Sequence, residues 1–321
     1  MNRPIMLLGG GGNILSLYKY NGGVKVLNLW AKLLRQNGYE SYLVTQDGKY
    51  NKWLIEHQPV ISFETAKKWA KEEKCFKCVI TWLPIAKYFL EIVNQIYFYD
   101  CEIAYTSRGH LFLLKNLIKS RIKNIATNSH INQQWYKKVL EYNAKLIKEW
   151  SDETYWYPKP QDRQADLIGY MNEPGGHSFR DINEINKICC KENLKLKFIE
   201  ISGDEQSVLN KMRQCNIFVG TNPGKHPIYG EGCPRTGNEA MHAGCIVIAY
   251  DVKGNREYIE NGKTGFLVPQ NRPDKIADII IHLIKKENFR EHIRANSINF
   301  ALKKFSSSDR WGLVKDFLGL K

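Results

Sequence analysis

Glu231-Gly-Cys-Pro-Arg-Thr-Gly-Asn-Glu239-Ala-Met-His-Ala-Gly244, followed at once by Cys245-Ile-Val-Ile-Ala-Tyr250, sets two carboxylates eight positions apart. Gly232, Pro234 and Gly237 lie between them and predict a loop. The run 238–243 then predicts a short helix, with Thr236 as its cap and Gly244 as its stop. The apolar run 245–249 predicts a buried strand. A helix N-terminus preceded by glycines exposes backbone N–H groups that can hold a phosphate. Carboxylates accept hydrogen bonds, so Glu231 and Glu239 on either side suit sugar hydroxyls. A diphosphate between two hydroxyl-bearing rings describes a nucleotide-sugar.

Outward from this stretch the chain reads as a βα series. Residues 5–8 predict a first buried strand and 9–13 a glycine-rich loop. That loop lacks the G-x-G-x-x-G spacing and ribose-binding acid of a dinucleotide fold, which disfavours an oxidoreductase. Val24, Leu27, Trp30, Ala31 and Leu34 recur at helical spacing over 22–37, and 42–45 predicts the next strand. Further strands are expected at 78–81, 96–99, 102–106 and 125–128, with Arg108-Gly-His110 ending the third. Trp156-Tyr-Pro-Lys-Pro160 cannot continue a helix or a central strand, so the inter-domain hinge is placed near Pro158. A second series follows, with strands at 166–170, 197–202, 216–220, 245–249 and 266–268. Its helices are expected at 181–193, 205–215, 273–287 and 289–305.

Length and composition bound the class. The 321 residues suffice for two domains, and 43% hydrophobic content supports packed cores rather than disorder. No run is long enough to span a membrane, and Ile5-Met-Leu-Leu8 is too short for a signal peptide, so a cytoplasmic location is expected. Of eight cysteines, only Cys75-Phe-Lys-Cys78 has metal-like spacing, and no second Cys or His pair accompanies it. The remainder read as core thiols in a reducing compartment. The net charge of +14 is concentrated in the first half. Residues 110–150 carry eight Lys and Arg against two Glu, with Lys115, Lys119, Arg121 and Lys123 alternating with apolar residues at helical spacing. Such a face can lie on an anionic membrane at the inner face of the plasma membrane, or be a solvated helix surface.

The Glu231/Glu239 stretch resembles the Glu-x7-Glu signature of retaining GT-B glycosyltransferases, the large glycosyltransferase family 4-like group. The resemblance extends to Gly254-Asn-Arg-Glu257 and Gly262-Lys-Thr-Gly265-Phe-Leu-Val268, to Met212-Arg-Gln-Cys-Asn-Ile-Phe-Val-Gly-Thr221, and to Tyr20-Asn-Gly-Gly23 at the other end. It implies an α/β GT-B fold of two Rossmann-like β/α/β domains facing across a cleft. Residues 1–158 would form the acceptor-side domain, with a closing helix at 308–321 packing back on it, and 159–307 the nucleotide-sugar domain. It implies transfer of a sugar from a nucleotide-sugar to a saccharide or lipid-linked acceptor hydroxyl with retention, without metal or other cofactor, in bacterial-type surface glycan or glycolipid assembly.

By the same resemblance, Glu231 and His110 are the catalytic candidates, beside the donor sugar. Glu239 would hold the ribose. Gly232, Cys233, Pro234, Arg235, Thr236 and Gly237 would line the phosphate site, with Asn21, Gly22, Gly23, Gly169, Arg180 and Glu257 completing the donor pocket. One departure is plain. Where the family carries an Arg and a Lys for the diphosphate, this chain has Tyr170 and Gly175, which leaves Arg180, His177, Lys253 and Arg256 as substitutes. No Asp-x-Asp metal motif is present. The alternatives are a nucleotide-sugar epimerase of the same shape, and a nucleic-acid-binding protein suggested by charge alone, for which no helix-turn-helix, zinc-finger or RRM sequence speaks.

Overall fold

The computed structural model describes residues 4–9, 22–74, 77–81, 83, 95–101, 108–172, 178–221 and 233–321. The chain divides into two compact units, one of residues 1–149 and 307–321 and one of residues 150–306.

The first unit is built on β1 (Ile5–Leu8), α1 (Gly22–Gln36), β2 (Ser41–Thr45), β3 (Val60–Ser62), α2 (Phe63–Lys71), β4 (Lys77–Ile80), β5 (Gln95–Asp100), α3 (Arg108–Ser120), β6 (Ile122–Thr127), α4 (His130–Leu140) and β7 (Lys145–Leu146). Its seven strands pair in parallel in the order β3-β2-β1-β4-β5-β6-β7. Parallel strands need crossover helices, which cover both faces and make the strands apolar throughout. Along β1, Met6 and Leu8 join one core with Phe63, Ala66, Ile80, Phe98 and Leu114. Leu7 lines the other face with Val24 and Leu27 of α1. Helix α1 stops where Gly38 takes a positive φ of 81°, a conformation that favours glycine.

The closing helix, α10 (Arg310–Leu318), belongs to this first unit. Its last carbonyls are held by side chains of the sheet. Lys77 Nζ and Tyr97 Oη donate to the Leu318 carbonyl at 2.7 and 3.1 Å, and Asn124 Nδ2 donates to that of Phe317 at 2.9 Å. The Phe317 ring packs edge-on against Trp30 and Tyr97.

The second unit carries β8 (Gln164–Tyr170), α5 (Ser178–Lys191), β9 (Lys197–Glu200), α6 (Glu205–Gln214), β10 (Cys215–Gly220), α7 (Arg235–Ala243), β11 (Ile246–Tyr250), β12 (Phe266–Val268), α8 (Pro273–Lys285) and α9 (Glu287–Lys304). Five parallel strands run in the order β12-β11-β10-β8-β9. Ile168, Ile217, Val219, Ile246 and Ile248 pack against Ile182 and Ile185 of α5 and Ile276, Ile280 and Leu283 of α8.

Four sequence expectations are corrected. Arg108–His110 opens α3 instead of ending a strand, and the strand expected at 102–106 lies outside the described residues. The basic stretch 111–123 is not one helix. Helix α3 ends at Ser120, Arg121 is in the turn that follows, and Lys123 lies in β6, where Ile122, Ile125 and Ala126 are buried. Pro158 lies inside the second unit. Trp150 and Trp156 are both buried there, Trp156 Nε1 donates to Glu205 Oε1 at 3.4 Å, and Arg213 donates to the carbonyls of Tyr155 and Tyr157. Finally, α2 and α4 were not predicted. Each starts on a serine cap, with Ser62 and Ser129 accepting from the backbone N–H three residues on.

Candidate active site

In each sheet the strand order reverses once, between β1 and β4 in the first unit and between β8 and β10 in the second. Connections leave in opposite directions at such a point and open a crevice at the carboxyl ends of the strands, where open α/β sheets bind ligands. In the second unit this edge gathers the end of β8 at Tyr170, the start of α5, the end of β10 at Gly220, the start of α7 and the end of β11 at Tyr250.

Helix α7 carries most of the expected residues. It begins at Arg235, three residues before the predicted start, and Pro234 stands at the cap with no side-chain hydrogen bond. Thr236 is therefore within the first turn and is not the cap. Pro234 sets the entry because its own missing N–H costs nothing there. Gly244 ends the helix as predicted, with φ at 92°. Cys233 is buried.

Glu239 sits one turn into α7 and is only 3% exposed. Its Oε1 accepts from Arg235 Nη2 at 3.2 Å, and Arg235 Nη1 donates to the Trp150 carbonyl at 3.3 Å. Arg235 was expected to line the phosphate site. Instead its guanidinium is buried between a carboxylate and a main-chain carbonyl.

Gly237 has a packing reason to be glycine. A Cβ there would lie 2.5 Å from two ring carbons of Tyr258 and clash with its hydroxyl. Tyr258 Oη donates to Asn255 Oδ1 at 2.6 Å, and Asn255 Nδ2 donates to the Tyr250 carbonyl at 2.8 Å. The 3-10 turn Lys253–Glu257, which carries Glu257, is thereby tied both to the end of β11 and to the first turn of α7. Glu257 itself is buried. Sequence reasoning missed Tyr258 and Asn255, whose only signal was their place next to Glu257 and Gly254.

At the start of α5, Arg180 keeps a side chain 64% exposed while donating through Nε and Nη2 to Asp181 Oδ1 at 3.2 Å. The other Asp181 oxygen accepts from Tyr250 Oη at 2.7 Å. Burial, and then this bond, push the Tyr250 phenol well above its usual range. Arg256, another proposed substitute cation, is held in a two-point pair by Asp251 at 2.7 and 2.8 Å. That hydrogen bond lowers the Asp251 carboxyl and raises the Arg256 guanidinium. Gly169 is a core position on its side-chain face. A Cβ would meet Ile201 Cδ1 at 2.5 Å and Cys215 Sγ at 2.8 Å, so its glycine identity is explained by packing, not by a ligand.

In the first unit, Gly22 and Gly23 form the opening turn of α1. A shallow pocket lies beside that helix, where Thr45 Oγ1 and Asn51 Oδ1 are buried without a hydrogen-bond partner among the described residues. His110 is in the first turn of α3. Glu231, Gly232, Asn21, Gly175, His177 and Cys75 lie outside the described residues. Among the described residues no group of three or more His, Cys, Asp or Glu is arranged to hold a metal ion, and no helix is long and apolar enough to cross a membrane.

Two Rossmann-like units in one chain define a GT-B fold, and solved structures agree. HepE of Anabaena, solved in complex with UDP, superimposes with a TM-score of 0.74 at 18% identity over 99% of this chain and 100% of that one. The same protein solved with UDP-glucose gives 0.74 over 98% and 99%. Residues 185–300 match the family described as glycosyl transferases group 1, within a chain of GT-B fold. It is similar to the capsular polysaccharide biosynthesis glycosyltransferase CapM of Staphylococcus aureus, 32% identical over 130 residues, which make 40% of this chain and 32% of CapM. An uncharacterized glycosyltransferase of Methanocaldococcus jannaschii is 31% identical over 125 residues, 38% of this chain and 33% of that protein. The chain thus spans about a third of the length of these curated relatives.

The Gly237–Tyr258 contact gives a direct check on the site's scaffold. Gly237→Ala is expected to cost about 1–3 kcal/mol through overpacking. Adding Tyr258→Ala should make the pair less destabilising than the sum of the two changes. Urea unfolding of the three variants measures both.

Proposed function

We propose that the chain is a glycosyltransferase that moves a sugar from a nucleotide-sugar to an acceptor hydroxyl. One observation carries the reading. Helix α7, which bears Glu239, opens on the carboxyl edge of a GT-B sheet within the segment that matches glycosyl transferases group 1. The bound UDP and UDP-glucose of HepE support a nucleoside diphosphate donor, and CapM supports a role in surface-glycan assembly.

In this reading Glu239 accepts from the ribose hydroxyls and Glu231 stands beside the donor sugar, where its charge stabilises the cation developing at the anomeric carbon. The diphosphate rests on backbone N–H groups at the α7 N-terminus, with the half-engaged Arg180 adding to its neutralisation, while the parts of Gly22 and Gly23 rest on the family resemblance. No metal is called for. The bond from the anomeric carbon to the phosphate oxygen breaks and the bond to the acceptor oxygen forms on the same face. The acceptor's proton passes to the departing phosphate, so configuration is retained. Gly169 serves through its backbone, Glu257 shapes the pocket wall, and the place of His110 rests on the family resemblance.

A lipid-linked acceptor has its own supporting observation. Helix α3 exposes Phe112, at 68%, together with Lys115 and Lys119, while Leu114 and Leu117 face the core. An exposed aromatic with cations three and seven residues further along the helix suits the headgroup region of an anionic bilayer.

Glu239→Ala is expected to weaken nucleoside diphosphate binding by about 1.5–3 kcal/mol, the worth of a hydrogen bond to a charged group. Glu231→Ala should lower turnover more than nucleotide affinity. Calorimetry and initial rates separate the two, and unchanged affinity in Glu239→Ala would remove the ribose assignment. For the membrane contact, each basic side chain near an anionic surface is worth about 1 kcal/mol, screened by salt. The triple variant Phe112→Ser, Lys115→Gln, Lys119→Gln should lose sedimentation with phosphatidylglycerol vesicles at low salt while keeping its nucleotide affinity. A wild type that does not sediment with those vesicles ends the lipid reading.

A further inference from the structure

The electrostatics of α7 itself do not favour Arg235 where it is. It is the first residue of α7, at the positive end of the helix dipole, where a cation is disfavoured, and the first turn contains no acid to offset it. Its order relative to Glu239, the cation one turn before the anion, is also the weaker arrangement of such a pair. Both side chains are almost fully buried, at 8% and 3% exposure. Burying an ion pair costs desolvation that an apolar pair of similar volume avoids, so such a pair is weak evidence of a contribution to stability.

What the pair does supply is orientation. Arg235 is held by two contacts that point in different directions, the Glu239 carboxylate at 3.2 Å and the Trp150 carbonyl at 3.3 Å. Trp150 is itself packed in the second unit's core. The guanidinium is planar and rigid, so its fork carries the fixed position of the Trp150 carbonyl across to the carboxylate. A carboxylate offers about four lone-pair positions, so an arginine and a diol can share one.

We infer that Arg235 is a positioning residue, which anchors the Glu239 carboxylate to the Trp150 carbonyl so that it meets the ribose hydroxyls of a nucleoside diphosphate in one orientation. The Arg235 side chain acts through Glu239 and does not touch the phosphates. The inference rests on the ribose assignment of Glu239 made above.

The test uses whichever of UDP, GDP, ADP and CDP binds the wild type most tightly, and the 2′,3′-dideoxy form of the same nucleotide. Calorimetry is run on the wild type, Arg235→Met, Arg235→Lys and Glu239→Ala, with melting curves to establish that each is folded. Arg235→Met keeps the apolar stem and removes the fork. It is expected to weaken the ribonucleotide by about tenfold while leaving the dideoxy form unchanged, so that the preference for ribose collapses. Arg235→Lys, a point charge that can serve one contact but not both, should recover part of that preference. A merely structural role would weaken both nucleotides alike. Arg235→Met that binds the ribonucleotide like the wild type, or that loses both forms equally, overturns the inference. Should Arg235→Met not fold, Arg235→Lys alone decides it, since full retention of ribose preference with only one contact restored contradicts a two-point anchor. If Glu239→Ala leaves ribose preference intact, or none of the four nucleotides binds, the donor-site reading itself fails. If Glu239→Ala erases the preference and Arg235→Met does not, only the role of Arg235 falls.

Discussion

Burial on both faces is the constraint on which everything else in this molecule depends. Both sheets are parallel throughout, so every strand must be followed by a crossover, and every crossover covers a face. Ile217, Val219, Ile246 and Ile248 in the second unit and Met6, Leu8, Ile80 and Phe98 in the first have no exposure to speak of. With the faces closed, only the strand ends are left for chemistry. At the carboxyl ends the single reversal of strand order in each sheet parts the connections. The start of α7 is at that edge because β10 and β11 are neighbours and α7 is their crossover.

The second unit stocks this edge with charges that already have partners. Arg180 leans on Asp181, Arg256 is clamped by Asp251, and Arg235 is buried against Glu239. In the proposed reading Tyr170 and Gly175 stand where the resembling family carries an Arg and a Lys for the diphosphate, and among the substitutes considered Arg180 combines exposure with a place on an opening helix turn. Tyr250 ties these pieces together. Its hydroxyl reaches Asp181 at the start of α5, and its carbonyl receives Asn255, whose side chain in turn accepts from the Tyr258 that rests on Gly237. A preorganised site of this kind exchanges little solvent structure when a charged ligand arrives.

Much of this was legible in the sequence. Strands β1 and β12 and the helices α1, α5, α6, α8 and α9 were placed to within a few residues, because long apolar runs and helical periodicity survive tertiary packing. Gly244 was legible as a helix stop because a positive φ leaves a glycine signature. The errors have physical causes. Arg108-Gly-His110 carries no periodicity of its own, and its helical state comes from the residues that follow it. Residues 111–123 keep alternating cations beyond Ser120, so charge pattern alone could not see that Ile122 and Ile125 turn inward as a strand. Pro158 looked like a hinge because prolines break elements, yet the surrounding tryptophans and Arg213 bind that segment into the second unit. The Arg235–Glu239 pair was hidden for a different reason. An i, i+4 spacing is visible in any sequence, but whether it faces solvent or the Trp150 carbonyl depends on packing.

The central claim is that a nucleoside diphosphate binds the second unit at the α7 edge, and hydrogen exchange read by mass spectrometry tests it most directly. With the tightest-binding nucleoside diphosphate present, protection should rise in residues 235–243 and 253–258, with the first unit's sheet strands unchanged. Protection confined to residues 1–149, or no change anywhere at a saturating concentration, would contradict the account.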